Sequence, residues 1–169
     1  IYLRSFDGEN AVFTIDTDDE FMARTARIVV FDVIKDNVTH MVGINMPNGK
    51  VNSAVKKGDK LYFNIWFADS MTEKLYVNNG LENILISESE ISTMVDYSRL
   101  QLMGDKLLYL KNHGSFDNFD YEFFEVNNEE LVSVYTHKQE YESFIEIEDY
   151  SNGEFTLNEI DLSDKEKLT

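Results

Sequence analysis

The hexapeptide Gly58-Asp59-Lys60-Leu61-Tyr62-Phe63 returns 46 residues later as Gly104-Asp105-Lys106-Leu107-Leu108-Tyr109. Downstream of each, Val77-Asn78-Asn79 matches Val126-Asn127-Asn128, and Ile84-Leu85 matches Leu131-Val132. A third copy runs from Phe144-Ile145-Glu146-Ile147 through Asn152-Gly153 to Ile160-Asp161-Leu162. A fourth, at the front, pairs Ile1-Tyr2-Leu3 with Val33 to Val38. A period of 40 to 50 residues with several strands per unit builds one supersecondary unit repeatedly, each too small to bury both faces alone. The expectation is a single all-β domain over residues 1–169, with repeats at 1–50, 51–98, 99–137 and 138–169. Each repeat reads as three antiparallel strands, the first of them often introduced by Gly-Asp-Lys.

Turn chemistry supports this. Asp7-Gly8, Asn48-Gly49, Asn79-Gly80 and Asn152-Gly153 are dipeptides that accept the positive φ of tight hairpin turns. Runs rich in β-branched and aromatic residues flank them: Ala11 to Ile15, Ile28 to Val33, Leu61 to Phe67, Leu75 to Val77 and Leu107 to Leu110. Two stretches also fit helix starts. Thr17-Asp18-Asp19-Glu20 resembles a capping box, and Ser87-x-x-Glu90 leads into Ile91, Met94, Val95 and later Leu102 at partly helical spacing, while Ile84 to Ile86 and Ile91 to Val95 also read as short strands.

The Gly-Asp-Lys-Leu-Tyr-Phe motif at 58–63 and the tail Glu159 to Thr169 resemble blades of TolB-like and related bacterial β-propellers. In that family a Gly-Lys turn opens a blade strand and a Leu-Thr sequence closes the central hairpin. The resemblance falls mainly on residues 51–169 and implies propeller-like stacked small sheets, in about four repeats or as a propeller segment. The alternative architecture is a β-sandwich or barrel, where repeated hairpins look alike. The resemblance also implies a secreted or cell-envelope location, in keeping with a chain that starts at Ile1 inside an apolar/polar pattern.

Charge narrows the partners. The chain holds 32 acidic and 15 basic residues for a net charge of -17. Residues 112–169 carry 16 of those acids but only Lys138, Lys165 and Lys167 as bases. Such a surface repels phosphate backbones, so nucleic acid is excluded as an expected partner, while a basic protein or peptide fits. Twelve Phe and nine Tyr supply apolar bulk that a disordered acidic tail lacks. Zero cysteines rule out disulfides, thiolate zinc sites and cysteine nucleophiles. The longest apolar run, Ile28 to Phe31, is far short of a spanning helix, so membrane insertion is not expected.

No nucleophile-elbow, zincin or phosphate-loop motif occurs. His40, His113 and His137 are far apart in sequence and read as ordinary surface or satisfied side chains. Calcium is the one conceivable cofactor. Asp16 and Asp18, beside Asp19 and Glu20, and Asp117 and Asp120 on a second turn are the candidate ligands. Neither segment matches an EF-hand loop, and a solvated acidic turn explains both. Along Leu61 to Phe67, the residues Leu61, Phe63, Ile65 and Phe67 share one strand face, and Tyr62, Asn64 and Trp66 the other. The second face is either the buried side of a stacked sheet or an exposed platform at Tyr62 and Trp66. Glu146 and Glu148 alternate with Ile145 and Ile147, placing acid on the solvent side of a half-buried strand. The combined expectation is a non-catalytic protein- or peptide-binding module with a strongly acidic C-terminal surface. The alternative is a carbohydrate-binding or carboxylate-dependent hydrolase domain. Self-association, or a larger parent chain, is expected if the repeats leave sheet edges open.

Overall fold

Turn residues cut the chain into short strands. Gly8 and Gly80 take φ of +99° and +92°, the left-handed region that an Asp-Gly or Asn-Gly turn supplies at little steric cost. Gly58 and Gly104 take φ of +62° and +58° at the two Gly-Asp turns, so the repeated hexapeptide marks the same hairpin in successive sheets. A computed structural model describes residues 1–17, 25–45, 49–91, 97–115, 118–138, 143–151 and 154–161.

The first sheet is β1 (Tyr2–Phe6), β2 (Asn10–Thr17), β3 (Thr25–Asp32) and β4 (Asn37–Asn45). The second is β5 (Gly49–Lys57), β6 (Lys60–Phe67), β7 (Thr72–Asn78) and β8 (Asn83–Glu90). The third is β9 (Tyr97–Met103), β10 (Lys106–Ser115), β11 (Asn118–Asn127) and β12 (Glu130–Lys138). A final hairpin pairs β13 (Ser143–Ser151) with β14 (Glu154–Asp161). In each sheet consecutive strands are hydrogen-bonded neighbours and antiparallel, and no sheet closes on itself. The protein is all-β, with no helix among the described residues. No helix there is long and apolar enough to cross a membrane.

Two expectations change. Each complete sheet has four strands rather than three, because the Gly-Asp-Lys turn leads into the second strand. The missed first strands are β5 and β9. Asn52, Ser53 and Ala54 in β5 are poor strand formers by propensity, and packing overrides that preference. Ser87 to Glu90 belongs to β8, as the strand alternative at Ile84 to Ile86 has it, and not to a helix, while Met94 and Val95 lie outside the described residues. In β8, Ile84 and Ile86 turn toward the interior while Asn83 and Leu85 are exposed, the period of two that a half-buried strand demands. A bulge opposite Leu75 and Tyr76 shifts the phase so that Glu88 and Glu90 are exposed. At the other helix candidate, Thr17 ends β2, and residues 18–24 lie outside the described residues.

The core lies between sheets. Val12, Ile28, Val30 and Val42 of the first sheet meet Val51, Leu61, Phe63 and Ile65 of the second. Val55, Tyr62, Leu75 and Val77 of the second meet Leu100, Leu107, Tyr109 and Val126 of the third. Strand β6 therefore sends alternate residues into two different cores, which requires apolar residues on both of its faces. The first strands β1, β5 and β9 lie side by side, so the three sheets fan out from them.

Candidate functional site

Asn64 is the polar exception in the apolar run of β6 and is fully buried. A buried amide must find partners or cost several kcal/mol. Its Oδ1 accepts from Ser53 N at 2.8 Å and from Ser53 Oγ. Its Nδ2 donates to Glu73 Oε1 at 2.6 Å and to Ser98 Oγ at 3.0 Å. Ser53 Oγ in turn accepts from Leu100 N at 2.8 Å, tying the free edges of β5 and β9 together. Glu73 Oε2 accepts from Tyr109 Oη at 3.1 Å.

A β-bulge explains how the network reaches the first sheet. The ladder between β5 and β6 shifts between Val51 and Ser53, leaving Asn52 as the extra residue. A bulged residue is freed from regular pairing. The Asn52 side chain donates to Glu73 Oε1 at 3.1 Å, and the Asn52 backbone carbonyl accepts from Arg4 Nη1 at 3.2 Å. Arg4 Nε also donates to Thr14 Oγ1 at 2.9 Å. Arg4, Asn52, Glu73 and Tyr109 thus form one polar chain through three sheets.

Burial dominates the electrostatics of this chain. It pushes the Tyr109 phenol well above its ordinary value, and the Glu73 carboxylate beside it adds to the shift. Lys111, lying over the rings of Tyr109 and Phe124 at 5.5 Å, is held below the usual lysine range by burial, against the attraction of Glu73 and Glu122. Glu73 is 5% exposed and Tyr109 1%, so a substrate cannot reach either. This arrangement clamps sheets together and fixes their register.

The Tyr109 shift has a measurable consequence. A tyrosine whose folded pKa is raised contributes stability that is fully present below its unfolded pKa, about 10, and lost as pH rises through the folded pKa. Unfolding free energy followed in urea from pH 9 to pH 11.5 should fall above pH 10. In Tyr109→Phe that fall should be visibly shallower, with a loss of about 1–2 kcal/mol at pH 7 from the missing donor to Glu73. Equal alkaline slopes in the two proteins would contradict the assignment.

Where β1, β5 and β9 converge, an open cleft of about 450 Å³ is lined by Arg4, Phe6, Asn10, Lys56, Gln101 and Leu102, among others. Lys56 Nζ donates to Asn10 Oδ1 at 3.0 Å. Asp7 also lines the cleft, but its carboxylate is engaged by its own turn, accepting from Glu9 N, Asn10 N and Asn10 Nδ2. Partial burial works to raise its pKa, and those hydrogen bonds outweigh it and hold the group below the usual range.

The residues singled out from the sequence are dispersed. Tyr62 is only 3% exposed and belongs to the core between the second and third sheets, so no exposed platform exists at that position. Its neighbouring face is covered because the third sheet stacks on it. Burial, with the charges of Asp59 and Glu129, raises its phenol. Trp66 is half-buried, paired across the ladders with Lys50 and Glu73. Asp16 pairs with Ala26 in the first sheet, and Asp120, exposed, pairs with His113 and Lys138 in the third. The structure thus places these two in different sheets, while Asp18 and Asp117 lie outside the described residues. Among the described residues no three His, Asp or Glu side chains are grouped to hold a metal ion. Glu146 stands opposite Asn158 on β13, and Glu148 falls at the bulge between Ile147 and Asp149. His40 Nε2 lies 2.9 Å from Asn78 Oδ1, joining β4 to β7, and His137 stacks on Tyr135.

Sequence reading passed over Arg4, Asn52, Ser53, Glu73 and Ser98. Asn64 was the available signal, an amide in the middle of an apolar strand. No protein-family model matches the chain, and no curated protein matches it at a significant level.

Proposed function

We propose that this chain is a non-catalytic protein- or peptide-binding module, built as consecutive propeller-like blades with a strongly acidic C-terminal surface. The observation that carries the reading is the fan of three four-stranded meanders packed face to face from adjacent first strands. That is how stacked blades share cores. The titratable groups best grouped for acid–base work, Glu73 and Tyr109, are sealed in a sheet-to-sheet clamp, which favours binding over chemistry. The first sheet supports self-association or packing against a further sheet. Its far face aligns Leu3 with Phe13, Val29 and Met41, and Phe6 with Ala11, Phe31 and Val38. Leu3, Phe6, Val38 and Met41 on it are exposed, an apolar patch of the kind that marks interaction sites. A secreted or cell-envelope location belongs to the same reading.

The acidic region names the test. Lysine-rich peptides should bind the chain with an affinity that falls on the order of tenfold between 50 and 500 mM salt, because exposed charge pairs are screened over a Debye length. Neutralising Glu146, Glu148 and Glu154 together to Gln should reproduce that loss at low salt. Affinity indifferent to both changes would overturn the reading.

A further inference from the structure

The three first strands concentrate basic charge. Across β1, β5 and β9 stand Arg4, Lys50, Lys56, Lys57 and Arg99, with no acidic residue at all. The whole chain has about two acids for every base. The corresponding strand of the final hairpin, β13, reverses the pattern with Glu146, Glu148 and Asp149 and no base. Strands β4, β6 and β10 also lack acid but hold only Lys60, Lys106 and Lys111 between them, so basic charge without acid is densest on the strands that converge on the open cleft.

From this placement we infer that the cleft is a binding site for a carboxylate carried on a small apolar group. Lys56 Nζ spends one N–H on Asn10 Oδ1 and has two more to offer an anion. The Arg4 guanidinium, fixed by Thr14 and the Asn52 carbonyl, adds positive charge at a set position rather than on a wandering side chain. Asp7 is the carboxylate lining the cleft, and its turn already satisfies both of its oxygens. Phe6, which is exposed, and Leu102, which is partly buried, supply its apolar wall. The lining is more polar than apolar, and a concavity that joins some apolar surface to polar groups that fix orientation is the general form of a small-ligand pocket. In a chain of net charge -17, an anion is repelled over most of the surface. Arg4 and Lys56, the two bases in the cleft lining, offset that repulsion here. The site is separate from the acidic C-terminal region, and its ligand has the opposite charge, so the two can fail independently.

The ligand chemistry has two sources, a free small carboxylate or an acidic side chain in a peptide, and the experiment distinguishes them. Calorimetric titration of the full chain would use phenylacetate, its uncharged analogue phenylacetamide, and the blocked peptide acetyl-Glu-Phe-amide. Binding by phenylacetate assigns the site to small carboxylates, and binding by the blocked peptide alone assigns it to a peptide side chain. In either case Lys56→Met should weaken binding about tenfold, the scale of one charge-assisted hydrogen bond. Lys56→Arg should retain most of it, and Lys50→Met, on the same strand but outside the lining, should leave it unchanged. Circular dichroism of each variant confirms that the sheets persist. The inference is overturned if neither carboxylate binds, if phenylacetamide binds as well as phenylacetate, or if Lys56→Met and Lys50→Met behave alike.

Discussion

Phe63→Ala should cost about 4 kcal/mol of unfolding free energy. Phe63 has no exposed surface, belongs to the core between the first and second sheets, and stacks on Tyr76 with ring centroids 5.5 Å apart. Removing its ring leaves a cavity between two hydrogen-bonded sheets, neither of which can collapse without breaking a ladder. Domains are typically stable by only about 5–15 kcal/mol, so the variant should lose a large part of its stability. Urea unfolding should show the midpoint falling sharply with little change in slope. Phe63→Leu, which keeps most of the volume, should lose far less. A cost under about 1 kcal/mol for the alanine variant would mean that the two sheets do not pack across this side chain.

Asn64→Ala should cost about 3 kcal/mol for a different reason. The side chain fills little space, but its removal takes the acceptor from Ser53 N and one donor each from Glu73 and Ser98. Those groups stay buried and cannot turn to water. Asn64→Asp is the sharper variant. It keeps the size but sets a second carboxylate against Glu73, so it should be at least as damaging as alanine at neutral pH. A double-mutant cycle with Ser98→Ala should give a coupling of about 0.5–3 kcal/mol. Additive effects would show that Asn64 does not join β6 to β9. Thermal or urea unfolding of the four proteins suffices.

The two variants separate what a reader of the chain can see from what is hidden. That Phe63 is core follows from Leu61, Phe63, Ile65 and Phe67 alternating with Tyr62, Asn64 and Trp66. The faces of a strand are set by its own pleat. The stacked-sheet reading of Tyr62 rests on the same alternation, and the third sheet covers it. The role of Asn64 is not visible in the same way. Its partners Ser53, Glu73 and Ser98 come from three strands of two sheets, one of them 34 residues away. Local periodicity carries no information about which polar group will face which. Helix and strand stayed open at Ser87 to Glu90 for a related reason. Over four residues a capping pattern and a strand edge look alike, and pairing with β7 decides between them.

The cleft lies further still from the sequence. Arg4 on β1, Lys56 on β5 and Leu102 on β9 share no local pattern, and two of those three strands were passed over because Asn, Ser, Ala, Arg and Gln interrupt them.

By itself the sequence determined the class of structure and its punctuation: an all-β chain, its Gly-centred turns, and the inward and outward faces of its strongest strands. These depend on φ preferences and on a period of two, which each residue carries with it. The tertiary structure alone decided that β5 and β9 begin sheets, that the Asn52 bulge links Arg4 to Glu73, and that the three first strands meet at one cleft. Those outcomes depend on which sheet stacks on which, and stacking is settled by burial summed over whole faces rather than by any residue's neighbours in the chain.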